Sequence, residues 1–413
     1  MTAVSFTTPP SMPRWRMPVS ARAPHAWQAL MAFTVGGFGI GLTQGGAASV
    51  IQDQVNDLDT SVELLGYTQM AYALGVVVGA PLIMIGMGRV NRRPLLFWLM
   101  TAFVVTSAAT MLAPNIQSLF VIRFLSGFPH GAFLGTASYV AMMLMGRERR
   151  GRAIAIIMLG ITVAAVVGIP AMQWISNVSS WRTAYGIVVV VGLLCLIGVW
   201  AFVPSITGNP TASFGRELRS LRGRTLWTAL IAITAGFAGL GAVFSYIVPL
   251  LEETAGLRAD QVTWALVGWG IGLSLGAFIG GQVTDRGPVR AARIGLVATA
   301  VMLLGIGLFG SLPVPAVILM VLLPMSIQIF SQASQNHLMD VLHDSQSLGA
   351  AMSHAALNAA TALGTGIGAL VLSFGYGYLA PAWVALALTL LALVIVFVGV
   401  GYHRSTRVGA VAS

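Results

Sequence analysis

Twelve apolar runs, each 19 to 28 residues long, occupy most of this sequence. They fall at 27–51, 62–86, 94–112, 118–145, 153–176, 183–203, 226–249, 261–283, 293–311, 316–339, 348–372 and 381–402. About 20 mainly apolar residues suffice for a helix to cross the hydrocarbon of a bilayer. Inside lipid no water can satisfy an exposed N–H or C=O, so segments of this kind must be helices that bond internally. The expected fold class is therefore an all-α integral membrane protein with twelve transmembrane helices. Composition excludes the alternative: of 413 residues 57% are hydrophobic and 8% charged, whereas soluble domains carry about 25% charged residues.

The charges then set the topology. All 22 basic residues are arginine, and 19 of them fall in alternate gaps between the runs. These are Arg14, Arg16 and Arg22; Arg89, Arg92 and Arg93; Arg147, Arg149, Arg150 and Arg152; Arg216, Arg219, Arg222 and Arg224; Arg286, Arg290 and Arg293; and Arg404 and Arg407. Only Arg182 and Arg258 lie in the other set of loops, and Arg123 lies inside a run. By the positive-inside rule both termini are expected in the cytoplasm. The net charge of +10 is thus a topology signal, and no nucleic-acid partner is expected. The expected organisation is a cytoplasmic tail at 1–26, a six-helix bundle at 27–203, a cytoplasmic central loop at 204–225, a second six-helix bundle at 226–402 and a tail at 403–413. The first apolar run is too long for a cleaved signal peptide. The single cysteine, Cys195, leaves no disulfide framework and no zinc site. No phosphate-binding G-x-x-x-x-G-K and no H-E-x-x-H occur, so no enzyme, metal or bound cofactor is expected.

The fourth run departs from plain apolar sequence. Arg123, Gly127, Gly131 and Gly135 recur every four residues and form one slowly drifting stripe on a helix. The glycines would let a neighbouring backbone approach closely. A buried arginine costs about 2.5–3.5 kcal/mol on insertion scales, so Arg123 should face protein or water. Pro129 removes a backbone hydrogen bond within the run, and His130 places a titratable group beside it. Similar glycine rows are Gly37, Gly41 and Gly45, and Gly268, Gly272, Gly276 and Gly280. A weak repeat, Gly79–Arg93 against Gly280–Arg290, suggests two parallel halves with a site between them.

Candidate chemistry is sparse. All twelve acids lie in loops or at run ends; Asp53 and Asp285 rank first among them. His130 is then the leading titrating group within a run, and His354 the second. Gln328, Gln332 and Gln335 share one helical face and, inside lipid, must be paired or line water. That stripe would suit a polar uncharged substrate such as a sugar. Phe38, Gln44, Phe133, Phe244, Tyr246, Trp264 and Trp269 could wall a cavity with few charges, suited to amphipathic neutral or weakly cationic compounds.

The chain at this point resembles the major facilitator superfamily, and within it the drug:proton antiporter branch near the arabinose-efflux-permease-like proteins. Arg123–Gly135, reading R-F-L-S-G-F-P-H-G-A-F-L-G, resembles that group's fourth-helix signature. Gly160 with Gly168-Ile169-Pro170, the pair Trp181-Arg182, the turn Asp285-Arg286-Gly287, and Ser245-Tyr246, Pro249 and Asn358 also match. Where such antiporters often carry a glutamate in the first helix, this chain has Gln44, and its first basic turn, Ile85–Arg93, has no acid. The resemblance implies two pseudo-symmetric bundles and a secondary transporter in a bacterial inner membrane. It would export a drug-like or sugar-like small molecule by alternating access, with protons as the energy source and a monomer as the working unit. Arg123, His130, Asp285, Arg286 and Asp53 would act in gating or coupling. Phe38, Gln44, Phe133, Tyr246, Trp269, Gln328, Gln332, Gln335 and Asn358 would line the cavity. Gly127, Gly131, Gly135, Gly168 and Pro170 would pack helices. An uncoupled facilitator and a sensor that kept the fold are the other readings.

Overall fold

A computed structural model describes residues 26–208 and 214–409; the arginines expected in the first tail lie outside these. Long helices occupy all twelve apolar runs. The first half contains α1 (Ala26–Ser49), a short α2 (Ile51–Leu58), α3 (Val62–Gly86), α4 (Arg92–Met111), α5 (Ile116–Met145), α6 (Arg150–Val163) with α7 (Ile169–Val178), and α8 (Trp181–Phe202). A short α9 (Phe214–Ser220) follows in the central segment. The second half contains α10 (Arg224–Phe244), a single turn α11 (Ile247–Pro249), α12 (Ala259–Arg286), α13 (Pro288–Phe309), α14 (Pro313–Val341), α15 (Gln346–Ser373) and α16 (Ala380–Gly409).

Local sequence accounts for several boundaries. Ser61 caps α3 by accepting from the Leu64 N–H, and Ser180 caps α8 by accepting from Thr183. Asn115 and Ser118 form a reciprocal capping box at the start of α5. Each device satisfies backbone donors that have no partner within the first turn. Gly146, at φ 89°, ends α5 in a conformation open to glycine at little cost. The fifth span is interrupted by a π-turn at Ala164–Gly168, where the Ile169 N–H bonds back to the Ala164 carbonyl. Pro170 has no N–H to offer the previous turn, so the helix widens there by one residue. The apolar run alone gave no sign of this change of pitch, nor of the small helices α2 and α9.

Eleven of the described helices are both long and apolar enough to span a bilayer. The exception among the twelve is α5, which at 30 residues is amply long but holds Arg123, Pro129, His130 and its glycines. It is largely enclosed, with Leu119, Arg123 and nearly every residue from Ser126 to Met142 buried.

The two halves repeat one packing plan. In the first, α3 packs on α5 and α1 on α6; in the second, α12 packs on α14 and α10 on α15. Glycines sit at each of these crossings. Gly75 and Gly127 face each other backbone to backbone between α3 and α5, and a side chain on Gly127 would strike Val76 N at 2.6 Å. Gly276 likewise lies against the Met325 backbone between α12 and α14, and Gly241 against Thr361 between α10 and α15. The result is two pseudo-symmetric six-helix bundles. They meet along a seam where α6 packs on α12, and α15 on α3 and α5.

Candidate functional site

The seam is where both bundles contribute side chains, and its arginine-rich end is latched shut. The Gly151 N–H, in the first turn of α6, donates to Asp285 Oδ1 at 2.7 Å, and Arg152 Nε lies 3.4 Å from Asp285 Oδ2. A carboxylate at a helix N-terminus meets both unpaired N–H groups and the positive end of the helix dipole. Gly151 must be glycine here, because a Cβ would meet Asp285 Oδ1 at 2.8 Å and the Gly281 carbonyl at 2.5 Å. Arg150 forms a two-pronged ion pair with Asp340 of α14. Gln335 donates to Ser138 Oγ at 2.9 Å, from α14 to α5. Gly135 lies against the Ala351 backbone of α15, with a Cβ placed 2.7 Å from Ala351 N.

Deeper in the seam a polar chain closes on itself. Arg123 Nη2 donates to Gln69 Oε1 and to the Thr43 carbonyl, the latter at 3.2 Å. Gln69 Nε2 donates to the Gln44 carbonyl at 3.0 Å, and Gln44 Nε2 to Asn358 Oδ1 at 3.2 Å, crossing to the second bundle. Asn358 Nδ2 donates to the His354 carbonyl at 2.9 Å. The His354 ring lies 6.2 Å from that of His130, centroid to centroid, crossing back. His130 Nδ1 shares a 2.8 Å hydrogen bond with the Tyr72 hydroxyl, and the Tyr72 ring lies 4.4 Å from the Arg123 guanidinium carbon. Arg123, His130 and Tyr72 are buried, as are His354 and Asn358. Gln44 and Gln69 are partly exposed.

The drift of the α5 stripe builds this arrangement. Four residues advance a helix by slightly more than one turn. Gly127 therefore packs on α3, Gly131 touches both α3 and His354 of α15, and Gly135 packs against Ala351 of α15. Arg123 and His130 lie along the same helix and meet the α3 side chains Gln69 and Tyr72.

Residues 33–259 match the family described as Major Facilitator Superfamily. The chain belongs to this superfamily. An uncharacterized MFS-type transporter of Bacillus subtilis, YtbD, is 31% identical over 350 residues, covering 83% of this chain and 88% of that protein. The putative transporter AraJ of Escherichia coli is 28% identical over 345 residues, 83% of this chain and 88% of the relative. A chloramphenicol resistance protein of Streptomyces lividans is 29% identical over 262 residues, 62% of this chain and 66% of the relative. Among solved structures, the proton:xylose symporter XylE superimposes with a TM-score of 0.73 at 15% identity, over 91% of this chain and 96% of that one. The superfamily's members in this comparison are transporters, not enzymes, and the chain is a multi-pass membrane protein.

Within this major facilitator fold the sequence-derived residues separate into groups. Arg123, His130, Gln44 and Asn358 come together in the polar ring, joined by His354. Asp285 sits at the latch, while Arg286 beside it is exposed. Asp53 accepts from Ser176 Oγ on α7, so it braces the far end of the first bundle. The amide stripe of α14 is buried and packed in this conformation. Gln332 donates to the Ala277 carbonyl at 2.9 Å, the Gln328 Cβ lies beside Gly276, and Gln335 reaches Ser138. Amides within lipid join helices when no water is present. The aromatic residues are likewise spread out. Phe133 is buried edge-on to Phe33 at 6.5 Å, Phe38 packs beside Gly168, and Trp269 stacks near Phe244 at 5.1 Å. The Tyr246 hydroxyl donates to the Thr365 carbonyl at 3.1 Å, and Trp264 is exposed. Gly168 is the last residue of the π-turn and Pro170 follows it at the start of α7. Trp181 and Arg182 clamp the far end, both donating to Asp57 Oδ2, at 3.0 and 2.7 Å.

Gln69, Tyr72, Gly151 and Asp340 were not singled out in the sequence. Gln69 and Tyr72 lie in an apolar run with no motif around them. Gly151 acts through its backbone N–H, which no residue type advertises. Among the described residues no cluster of metal-binding side chains occurs.

Proposed function

We propose that this chain is a secondary transporter that exports a small drug-like molecule from the cytoplasm by alternating access, in exchange for protons. The arginine-rich end is the cytoplasmic one by the positive-inside rule, with both termini on that side of a bacterial plasma membrane. The latches at Asp285 and Asp340 then belong to a conformation closed toward the cytoplasm. The observation that carries the reading is the His130–His354 pair, one imidazole from each bundle, 6.2 Å apart.

Imidazole is the side chain that ordinarily changes charge between about pH 5 and 8. The groups facing the pair are Tyr72 from α3, Arg123 beyond it on α5, and Asn358 on α15. None of the described groups in the ring is a carboxylate. A proton arriving on either ring therefore adds positive charge to an enclosed space that already holds Arg123. That charge is relieved by parting the bundles and admitting water. Protonation and opening are thereby coupled, which is what exchange requires. The printed name of the Streptomyces relative supports a drug-like substrate; a sugar-like one, suggested by the α14 amides, is the alternative.

The test is accumulation of labelled chloramphenicol in cells expressing the wild type, Arg123→Ala or His130→Asn plus His354→Asn. The expected result is lower accumulation with the wild type alone, abolished by a protonophore. Unchanged final accumulation that is reached faster, with or without the protonophore, would support the second reading, an uncoupled facilitator, which the carboxylate-free ring and Gln44 favour. Equal accumulation across a panel of amphipathic compounds would sink export altogether.

A further inference from the structure

Arg123 is the most enclosed cation among the described residues, at 1% exposure. The other paired arginines spend the acids elsewhere: Arg150 on Asp340, Arg152 on Asp285 and Arg182 on Asp57. Arg123 has no ion pair among the described residues. Its Nη2 holds two neutral acceptors, Gln69 Oε1 and the Thr43 carbonyl, while Nε and Nη1 have no hydrogen-bond partner. The face of Tyr72, 4.4 Å away, adds cation–π attraction but no counter-charge. A buried cation whose charge is balanced only by amide, carbonyl and ring is left short of what burial demands.

The cover over this cation reaches the surface of the seam. Gln69 and Gln44 are partly exposed, while Arg123 and Tyr72 behind them are buried. Gln69 Oε1 takes a position that an anionic oxygen would take, at the guanidinium nitrogen shared by both two-pronged edges. Turning the Gln69 side chain away frees Nη2. Together with either Nε or Nη1, it then presents paired N–H donors spaced for the two oxygens of a carboxylate.

We propose that Arg123 is the anchor for an anionic group on the transported compound, a carboxylate, which enters by displacing the Gln69 amide. This rests on the export reading for the word transported; the binding itself does not. The site names a substrate class, an amphipathic monocarboxylate, with its apolar part toward the seam.

Three probes of one shape and different charge test this: benzoate, benzamide and benzylammonium, with chloride as a fourth at matched ionic strength. The readout is the thermal unfolding midpoint of the purified full-length protein in detergent, followed by its tryptophan fluorescence. Benzoate is expected to raise the midpoint saturably, and the other three are not. Arg123→Gln is expected to weaken the benzoate effect at least tenfold, and Gln69→Ala, which removes the competing oxygen and keeps the arginine, to strengthen it several-fold. Gln69→Ala keeps the proposal testable if Arg123→Gln fails to fold. Benzamide matching benzoate, or benzoate acting equally on Gln69→Ala and wild type, overturns the proposal. Chloride matching benzoate overturns the carboxylate assignment in favour of an inorganic anion. Benzoate selectivity without protonophore-sensitive efflux would overturn export while leaving the anion site standing, so the two readings fail separately.

Discussion

Asp285 makes three distinguishable contributions at one position: a hydrogen bond to the Gly151 N–H, a negative charge at the start of α6, and an ion pair with the exposed Arg152. Asp285→Asn keeps a side chain able to accept the bond and removes the charge. A carboxylate near a helix N-terminus contributes about 0.3–1 kcal/mol, and up to about 2 when partly buried. The variant should therefore populate the unlatched state several-fold more often, without unfolding. Maleimide labelling of a cysteine at Ser138, in a Cys195→Ser background, reads this directly, because Ser138 is fully buried beside Gln335. Labelling should accelerate in Asp285→Asn and stay at the wild-type rate in Arg286→Ala. Equal rates in all three would remove Asp285 from the latch. Here the limits of sequence reading are plain. Asp285 was legible because it stands in a recognisable turn; its partner was not, because a backbone N–H 134 residues away leaves no trace in residue type. The Arg150–Asp340 pair was missed for a related reason: each looks like an ordinary charge at a helix end, and nothing in the spacing joins positions 190 apart.

At the level of the helix, α5 is two kinds of surface on one cylinder. Its glycine row was legible as a packing stripe, but the sequence could not say that the row changes partner along its length. Gly127 is bound up with Gly75 inside the first bundle, while Gly135 meets Ala351 across the seam. The same substitution at the two sites should therefore fail differently. Gly127→Leu forces α3 and α5 apart where no flexible side chain can yield, and overpacking of this kind costs about 1–3 kcal/mol or more. It should lower the thermal midpoint by several degrees and reduce the amount of folded protein. Gly135→Leu leaves the first bundle intact and blocks closure at the arginine-rich end. It should keep a near-native midpoint and show fast Ser138→Cys labelling in the same background. A large loss of stability in Gly135→Leu, or none in Gly127→Leu, would contradict the division. Helix positions along the chain were legible because hydrophobicity alone decides what enters lipid. The π-turn before Pro170 was not, because a change of pitch is a matter of one hydrogen bond.

For the whole molecule, the sequence carried the two-bundle plan through the alternation of its arginines, and the packing of α3 on α5 and α12 on α14 repeats it in space. Orientation follows from the same charges and has a direct test. In intact cells, an impermeant thiol reagent should modify Glu253→Cys, which is exposed at the far end, and should leave Arg149→Cys untouched until the membrane is permeabilised. The reverse pattern would invert the direction of transport. The central site was only half legible: its histidines and Gln44 stood out, but the ring that joins them depends on Gln69 and Tyr72, which acquire meaning only when α3 is laid against α5. That same pairing bears on how the protein is made. A helix carrying Arg123 and His130 is a poor candidate to leave the translocon for lipid by itself. It must be handed over already sheltered by α3 and α4, so a nascent chain stopped just after Met145 should still integrate, whereas one with α3 deleted should leave the fourth segment outside the bilayer, unanchored.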